Sequence, residues 1–224
     1  MRRVLLVLVV ALTLVGLRPL SGSSSGAEAS HVNPILFVHG FSSSASAWNT
    51  MVPRFQADGW HSNQLFAISY NSLQSNVTIA NTIQSTVNSI KASTGASKVD
   101  IITHSMGGLS TRYYLKNLGG TSSVDDWVSL GGPNHGTIWA WGCAFLTPCL
   151  QMTPGSSFLN SLNAGDETPG AVSYGTWWSP CDEIITPDES VILSGATNTQ
   201  TGCILHSGLL TSSTVYAQVR DFVR

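Results

Sequence analysis

The feature of this sequence that most restricts its fold is an alternation of short, wholly apolar runs with longer amphipathic stretches. Ile35–Val38 is apolar at every position, which is typical of a strand buried on both faces of a sheet. Residues 77–90 instead carry apolar side chains at intervals close to 3.6, which is typical of a helix with one buried face. Further strands are predicted at Leu65–Ile68, residues 99–103 and Val124–Leu130, and further helices at residues 47–58 and 109–118. This alternation predicts an α/β protein with a mostly parallel central sheet and helices on both faces.

The pattern weakens after residue 133. Gly, Pro, Thr and Trp become frequent, and we expect mainly loops in residues 134–170. Short strands are predicted at residues 171–177 and 191–193, and a last helix at residues 212–222. Because no linker or internal repeat is visible, we predict a single domain of ordinary size that spans residues 30–224.

The amino terminus has the features of a secretory signal peptide. Arg2 and Arg3 precede an apolar run over residues 4–17, and the small-residue site Ala-Glu-Ala ends at Ala29. The run is shorter than the roughly 20 residues that a membrane-spanning helix needs. We therefore predict a signal peptide at residues 1–29, a secreted, extracellular protein and no integral membrane association. A membrane anchor or a buried helix is the alternative.

The charge content argues against nucleic acid as a partner. Only 10% of the residues are charged, the formal net charge is −2, and no run of Lys or Arg is present. Binding to a phosphate backbone requires clustered positive charge.

All four cysteines lie in the carboxyl-terminal part of the chain, at Cys143, Cys149, Cys181 and Cys203. Three pairings are possible. A short loop favours a Cys143–Cys149 disulfide, which leaves Cys181 to pair with Cys203. Metal ligation is the alternative, but no C-x-x-C spacing is present and an exported protein favours disulfides.

The segment T-H-S-M-G-G, residues 103–108, follows a predicted buried strand and precedes a predicted helix. A serine in such a sharp turn is exposed above the edge of the sheet, so Ser105 is the candidate nucleophile. The usual pattern is G-x-S-x-G, and Thr103 replaces its first glycine. The alternative is an ordinary turn in which Ser105 caps the helix.

Two backbone amides are candidates for an oxyanion hole. The first predicted strand ends in H-G-F-S, residues 39–42, and the loop after an early strand of this kind can supply one donor, here Phe41. The residue after the nucleophile, Met106, supplies the other. An ordinary core position for the Phe41 ring is the alternative.

A serine nucleophile needs a base, and in this type of sheet the chain order is Ser, then Asp or Glu, then His. His135 follows Ser105 too closely for a strand and an acid to lie between them. His206 lies just before the last predicted helix and is the candidate base.

Asp182 is the candidate acid because it directly follows Cys181. A Cys181–Cys203 disulfide would bring its loop close to His206. Glu183 is the alternative, and the other late carboxylates are Asp166, Glu167, Asp188 and Glu189.

Four segments together resemble the small secreted bacterial lipases found in Bacillus and Streptomyces. They are V-H-G-F (residues 38–41), T-H-S-M-G-G (103–108), L-G-G-P-N-H-G-T (130–137) and H-S-G-L-L (206–210). The resemblance covers nearly all of the chain after the predicted signal peptide. It implies a minimal α/β-hydrolase fold with little or no lid, and a chain that is a monomer.

The resemblance implies the same site: nucleophile Ser105, acid Asp182, base His206, and oxyanion donors Phe41 and Met106. It also implies that Asn134, His135 and Thr137 shape the surroundings of the site. It implies no metal and no organic cofactor.

The function expected from this resemblance is hydrolysis of an ester or acylglycerol at a lipid–water interface, as by a triacylglycerol lipase. A short-chain esterase, a polyester hydrolase or an acyltransferase with the same triad is the alternative, and a non-catalytic binding protein is a more remote one. The apolar side chains after residue 137 are expected to form an acyl-binding wall, a short lid or packing around a disulfide; they are Ile138, Trp139, Trp141, Phe145 and Leu146.

Overall fold

A six-stranded parallel sheet organises the residues that the computed structural model describes, which are 32–224. The strands are β1 (Ile35–Val38), β2 (Leu65–Ile68), β3 (Val99–His104), β4 (Val124–Leu130), β5 (Ser173–Trp178) and β6 (Thr197–Gln200). The α-helices are α1 (Met51–Ala57), α2 (Asn76–Thr94), α3 (Gly107–Asn117), α4 (Thr147–Met152), α5 (Ser157–Asn163) and α6 (Ser213–Phe222). The predicted α/β architecture is confirmed. The predicted signal peptide lies outside the described residues.

The strand order β2-β1-β3-β4-β5-β6 contains one reversal of direction. The chain leaves β1 toward β2 on one side and then returns to β3 on the other side of β1. The loops after β1 and β3 therefore diverge and leave a crevice between them, which is where open parallel sheets bind ligands.

The two faces of β1 explain why its sequence is wholly apolar. Leu36 and Val38 pack in one core cluster with residues of α2 and α3. Ile35 and Phe37 point to the opposite face and pack with residues of α1 and α6. Successive side chains of a strand alternate between faces, and both faces of β1 are covered by helices.

Helix α2 shows how closely local signals can predict an element. The side chain of Ser75 caps its first turn by accepting a hydrogen bond from the Thr78 amide, and Gly95 ends it with a left-handed φ of 74°. Glycine adopts this conformation at low cost, so it commonly ends helices. The helix predicted at residues 77–90 is confirmed and extends to the caps.

The strand predicted at residues 191–193 is wrong. Val191 and Leu193 are buried, but Val191 ends a short 3-10 helix and Leu193 lies in the loop after it, and the sixth strand is the polar segment β6. The side chain of Asn198 in β6 accepts a hydrogen bond from the Leu193 amide and donates one to the Leu193 carbonyl. These two hydrogen bonds hold the segment against β6, so its apolar side chains are buried although the segment is not a strand of the sheet.

The loops expected in residues 134–170 in fact contain α4, α5 and a 3-10 helix at Ile138–Cys143. Each of these helices is too short to show a sustained apolar period. Helix α5 nonetheless begins at a recognisable cap, because the Ser156 hydroxyl accepts a hydrogen bond from the Leu159 amide.

Both favoured disulfides are present, Cys143–Cys149 and Cys181–Cys203. Among residues 32–224, no helix combines the length and apolar character needed to cross a bilayer.

Candidate active site

Loops at the carboxyl ends of the strands enclose a cavity of about 490 Å³. Ser105, His206 and Phe41 all line it. Ser105 directly follows β3 and Phe41 lies three residues after β1, so the cavity lies at the reversal in strand order. Three of the five residues predicted to act together thus line the crevice that the sheet topology creates.

The turn after β3 holds Ser105 in an unusual backbone conformation. Its φ is 54°, a left-handed value that costs a non-glycine residue roughly 1–3 kcal/mol. The turn leaves almost no space around it. A Cβ on Gly40 would lie 2.6 Å from Cβ of Ser105, and a Cβ on Gly107 would lie 2.5 Å from the His39 carbonyl oxygen. Glycine is therefore needed at both neighbouring positions.

Ser42 is the one other non-glycine residue of the described chain with a positive φ, at 51°. It also lines the cavity, and its amide donates a hydrogen bond to the Ser72 hydroxyl. Strained backbone tends to persist where function requires it. Both strained positions therefore point to the same cavity.

Thr103, which replaces the first glycine of the usual nucleophile motif, fits this turn. It is fully buried, and its hydroxyl donates a hydrogen bond of 2.8 Å to the Val128 carbonyl of β4. A Cβ added to Gly108 would lie 3.5 Å from this hydroxyl, an ordinary contact. The departure from the motif is accommodated because the neighbouring strand accepts the threonine hydroxyl.

Asp182 and His206 form the closest pair of titratable side chains at the cavity. Oδ2 of Asp182 lies 2.8 Å from Nδ1 of His206, while Oδ1 accepts hydrogen bonds of 2.9 Å from the amides of Ile184 and Ile185. Burial opposes ionisation of Asp182, but these bonds outweigh it and lower its pKa. An ionised carboxylate therefore faces the imidazole and favours the tautomer with hydrogen on Nδ1.

The backbone of His206 is held from both sides. Its amide donates a 2.9 Å hydrogen bond to Oε2 of Glu183, and its carbonyl accepts one of 3.1 Å from Nε2 of His104. Burial, together with the nearby His206, lowers the pKa of His104 to about 3, so this ring is a neutral donor. Glu183, the alternative acid, thus contacts the His206 backbone, whereas Asp182 contacts its ring.

Gly131, directly after β4, makes room for this pair. Its φ is 57°, and a Cβ there would lie 3.1 Å from both Oδ2 of Asp182 and Nδ1 of His206. A larger residue at this position would strain the backbone and crowd the hydrogen bond between Asp182 and His206. Gly131 belongs to the lipase-like segment 130–137, but the sequence did not predict its role beside this pair.

The amides of Phe41 and Met106 are the two candidate oxyanion donors. Within the described chain, neither donates a hydrogen bond to a protein acceptor. Met106 precedes the first residue of α3, where the helix dipole favours negative charge. Two such amides beside a nucleophile suit a developing oxyanion.

His39 fixes the loop that carries Phe41. Its ring stacks on Tyr70 at a centroid distance of 4.0 Å, and its Nδ1 lies 2.8 Å from the Gly40 carbonyl oxygen. The Tyr70 amide approaches Nε2 at 3.4 Å, so Nε2 accepts and Nδ1 donates. Burial lowers the pKa of His39 and favours this neutral form. The sequence analysis did not assign His39 this role.

Ser105 and His206 line the same cavity. Across residues 32–224, no hydrogen bond joins the Ser105 hydroxyl to the His206 ring. Such bonds are often long in unliganded enzymes and shorten when substrate binds. A serine in a strained turn and a histidine paired with a carboxylate thus line one cavity.

The remaining residues named from the sequence lie around the pair. The Thr137 hydroxyl donates to the Ile184 carbonyl and lines the cavity, and Asn134 donates to the Val191 carbonyl. His135 lies 2.8 Å from Glu167. Because His135 is paired there, it is not oriented by Asp182.

Three carboxylates near the amino ends of β3 and β4 lie close enough to share a cation: Asp100, Asp125 and Asp126. They are at the opposite edge of the sheet from the cavity. Lys98 already pairs with Asp125 at 2.8 Å. Burial, with Asp126 nearby, raises the pKa of Asp100 to about 8, so this carboxyl holds its proton near neutral pH.

Comparison with known proteins covers most of the described chain. The profile of a family described as Lipase (class 2) matches residues 32–202. The matched part contains Ser105 and Asp182 and ends before His206.

Solved structures of three enzymes have a similar fold. The mature form of Bacillus licheniformis lipase BlEst2 is 19% identical with a TM-score of 0.74, over 85% of this chain and 91% of that chain. Aspergillus fumigatus lipase B is 22% identical with a TM-score of 0.75, over 89% of this chain, which spans 54% of that protein. Phospholipase PlaB from Legionella pneumophila is 14% identical with a TM-score of 0.69, over 85% of this chain and 59% of that protein. At these identities the similarity concerns the fold.

Proposed function

The chain belongs to the class 2 lipase family of the α/β-hydrolase superfamily, and on that premise we propose that this ester-hydrolysing enzyme cleaves acylglycerols through Ser105, His206 and Asp182. The observation that carries the proposal is the 2.8 Å pair of Asp182 and His206 at the cavity that Ser105 also lines. A carboxylate, an imidazole and a serine hydroxyl are the three side-chain groups that nucleophilic acyl transfer by a triad requires.

In the first half of the proposed reaction, Ser105 Oγ attacks the ester carbonyl carbon while Nε2 of His206 takes its proton. Asp182 stabilises the imidazolium that forms and keeps the ring in the required tautomer. The carbonyl oxygen becomes an oxyanion and accepts hydrogen bonds from the amides of Phe41 and Met106. When the tetrahedral intermediate collapses, His206 returns the proton to the leaving alcohol, and the acyl group remains on Ser105.

In the second half, water attacks the acyl-enzyme and His206 again acts as the base. The carboxylic acid leaves, and the proton returns to Ser105. These steps involve only groups of the chain, substrate and water. Because the oxyanion donors are backbone amides, their positions depend on the turn after β3 and on His39.

Hydrolysis of p-nitrophenyl esters from acetyl to palmitoyl tests the proposal. We expect Ser105→Ala to lose at least about 10⁴-fold in kcat on every ester. Ser43→Ala is a matched control, because Ser43 lines the same cavity and has no role in the proposed steps. A wild-type preference for medium or long chains supports an acylglycerol substrate.

Other outcomes would redirect the proposal. A preference for acetyl or butyryl esters would make the enzyme a short-chain esterase with the same triad. A folded wild type that hydrolyses none of these esters, or a Ser105→Ala variant that keeps its rate, would contradict the proposed catalytic role. In that case a binding function would become the better hypothesis.

We also propose that the chain is exported. Two disulfides are typical of proteins from oxidising compartments, and the amino-terminal pattern of residues 1–29 supports the same destination. Export can be tested by determining the amino-terminal residue of the protein recovered from culture medium. We expect it near Ser30.

A further inference from the structure

The loop after β1, which carries the candidate oxyanion donor Phe41, has little support of its own. Residues 41–45 read F-S-S-S-A. In the described chain, no backbone-to-backbone hydrogen bond joins two residues of 39–45. A short serine-rich loop can adopt many conformations, and keeping it in one of them costs conformational entropy. Its position must therefore be fixed by other parts of the molecule.

The segment after β2, residues 69–72 with the sequence S-Y-N-S, supplies this support. Three hydroxyl groups of the segment bind the backbone of residues 39–45, and they belong to Ser69, Tyr70 and Ser72. The first accepts a hydrogen bond from the Ala45 amide and the last accepts one from the Ser42 amide, each at 2.9 Å. The tyrosine hydroxyl donates to the His39 carbonyl. One short segment thus holds the loop at three places.

Ser72 is itself fixed independently of this loop. It is only 7% exposed. The preceding residue, Asn71, accepts hydrogen bonds from the Leu73 amide on Oδ1 at 3.0 Å and from the Gln74 amide on its carbonyl at 3.2 Å. Such a turn is closed by its own side chain and backbone. Ser72 is therefore the fixed partner, and Ser42 is the residue that it holds.

Two peptide units flank the Cα atom of Phe41, and each is fixed by one hydrogen bond. The Gly40 carbonyl accepts a bond of 2.8 Å from Nδ1 of His39. In a planar trans peptide the N–H points opposite to the C=O, so this bond also sets the direction of the Phe41 N–H. In the next peptide unit, the N–H of Ser42 is directed at Ser72. Both backbone torsion angles of Phe41 are thereby set.

The backbone of Ser42 shows that this hold acts against a local preference. Its φ of 51° is unfavourable for a residue other than glycine, and such a conformation persists only where its surroundings maintain it. The Ser42 side chain is exposed, so packing around it does not provide the hold. The bond from its amide to Ser72 does. Without that bond, Ser42 can relax and rotate the peptide unit that follows Phe41.

We infer that Ser72 is a positioning residue for the oxyanion hole, which acts through Ser42 to keep the Phe41 amide directed before substrate binds. This inference rests on the proposed ester-hydrolase function. Ser72 does not line the catalytic cavity, so it acts without touching substrate. An oxyanion donor stabilises charge that develops only in the transition state. Its displacement should therefore lower kcat and leave KM nearly unchanged.

Kinetics on soluble p-nitrophenyl butyrate test the inference. We expect Ser72→Ala to lower kcat about 10- to 100-fold with KM within about twofold of wild type, because loss of a complete oxyanion donor costs about 10²- to 10³-fold. Ser69→Ala is the matched control. It removes a bond of the same length to the same loop, but at Ala45, four residues beyond Phe41, and should keep kcat within about twofold. Ser72→Thr keeps the hydroxyl and should restore most of the rate.

A soluble trifluoromethyl ketone gives a readout that a loss of stability would not change. Ser105 Oγ adds to its carbonyl carbon, His206 takes the proton, and the carbonyl oxygen becomes an oxyanion in the hole. We expect the inhibition constant of the Ser72→Ala enzyme to rise by about the factor by which kcat falls. An enzyme that was only partly unfolded would contain fewer active molecules, and those molecules would bind the ketone with wild-type affinity.

Hydrogen exchange of the Ser42 amide, followed by NMR, tests the hold without substrate. We expect exchange about tenfold faster in Ser72→Ala and unchanged in Ser69→Ala, because only the first variant removes the acceptor of this amide. Unchanged exchange, wild-type kcat in Ser72→Ala, an equal loss in Ser69→Ala or an unchanged inhibition constant would each overturn the inference and leave the triad proposal standing. A wild type that hydrolyses no ester would instead contradict the proposed function, and the positioning role with it.

Discussion

Residues 32–133 and residues 134–224 build their parts of the candidate site by different means. The first region carries Ser105 and the amides of Phe41 and Met106, on turns at the ends of β1 and β3. These strands are fully buried between helices, so apolar packing on both faces holds the turns in place.

The second region carries Asp182 on a loop and His206 at the start of a short 3-10 helix, His206–Leu210, and specific cross-links hold both. The Cys181–Cys203 disulfide joins the two loops, and Glu183 and His104 bind the His206 backbone. All four cysteines of the chain lie in this region. A loop without a repeating apolar pattern needs such specific bonds to keep a geometry that a strand obtains from packing.

The largest effect is expected in the second region, at the pair of adjacent acids. Asp182→Asn should lower kcat by about 10⁴-fold because the imidazole loses its tautomer and its counter-charge. Glu183→Gln, the matched control, should cost less than about tenfold, since the amide oxygen still accepts from His206. Ester kinetics check both, and a larger loss in Glu183→Gln than in Asp182→Asn would identify Glu183 as the acid.

A core substitution tests whether packing alone holds the first region. Ile102 in β3 is fully buried, and Ile102→Ala should lower the free energy of unfolding by about 2–5 kcal/mol. Ile102→Val should cost only about 0.5–1.5 kcal/mol. Urea unfolding measures both. A loss below about 1 kcal/mol in the alanine variant would show that this strand is not held by its packing.

Removing the disulfides tests the second region. Replacement of both Cys181 and Cys203 by Ser opens a loop with a sequence separation of 22 and should cost about 3 kcal/mol in unfolding free energy. The same change at Cys143 and Cys149, with a separation of 6, should cost about 2 kcal/mol. Urea unfolding with and without reductant measures the losses. If reductant destabilised the double variant of one pair as much as the wild type, the other disulfide would account for the whole effect.

The last effect, which is the smallest when counted per pH unit, concerns pH and the first region. The pKa of buried Asp100 is raised to about 8, so the folded state binds its proton more tightly than the unfolded state does. The resulting stability is complete below the ordinary carboxyl pKa and is lost as the pH rises toward 8, by at most about 1.4 kcal/mol per pH unit. Asp100→Asn should flatten this slope, as measured by urea unfolding between pH 5 and pH 8. Asp125→Asn, at a partly exposed carboxylate, is the control and should leave the slope in place.

The sequence predicted the first region better than the second. Strands β1 to β4 and helices α2 and α3 follow from apolar runs and helical periods, which long regular elements display clearly. The short helices α4 and α5 and the polar edge strand β6 display neither signal. Val191 and Leu193 produced a wrong strand because burial of a tethered loop leaves the same apolar pattern as burial of a strand.

The sequence by itself determined the parallel α/β architecture, the candidate roles of Ser105 and His206, and the favoured disulfide pairs. These features depend on local patterns and on order along the chain. Tertiary structure alone decided which of two adjacent acids meets the imidazole, because Asp182 and Glu183 share one loop and only its backbone path directs them apart. It also decided that several apolar side chains after residue 137 stay exposed near the cavity. Exposure depends on which distant residues pack against a side chain, and the local sequence pattern does not specify those residues.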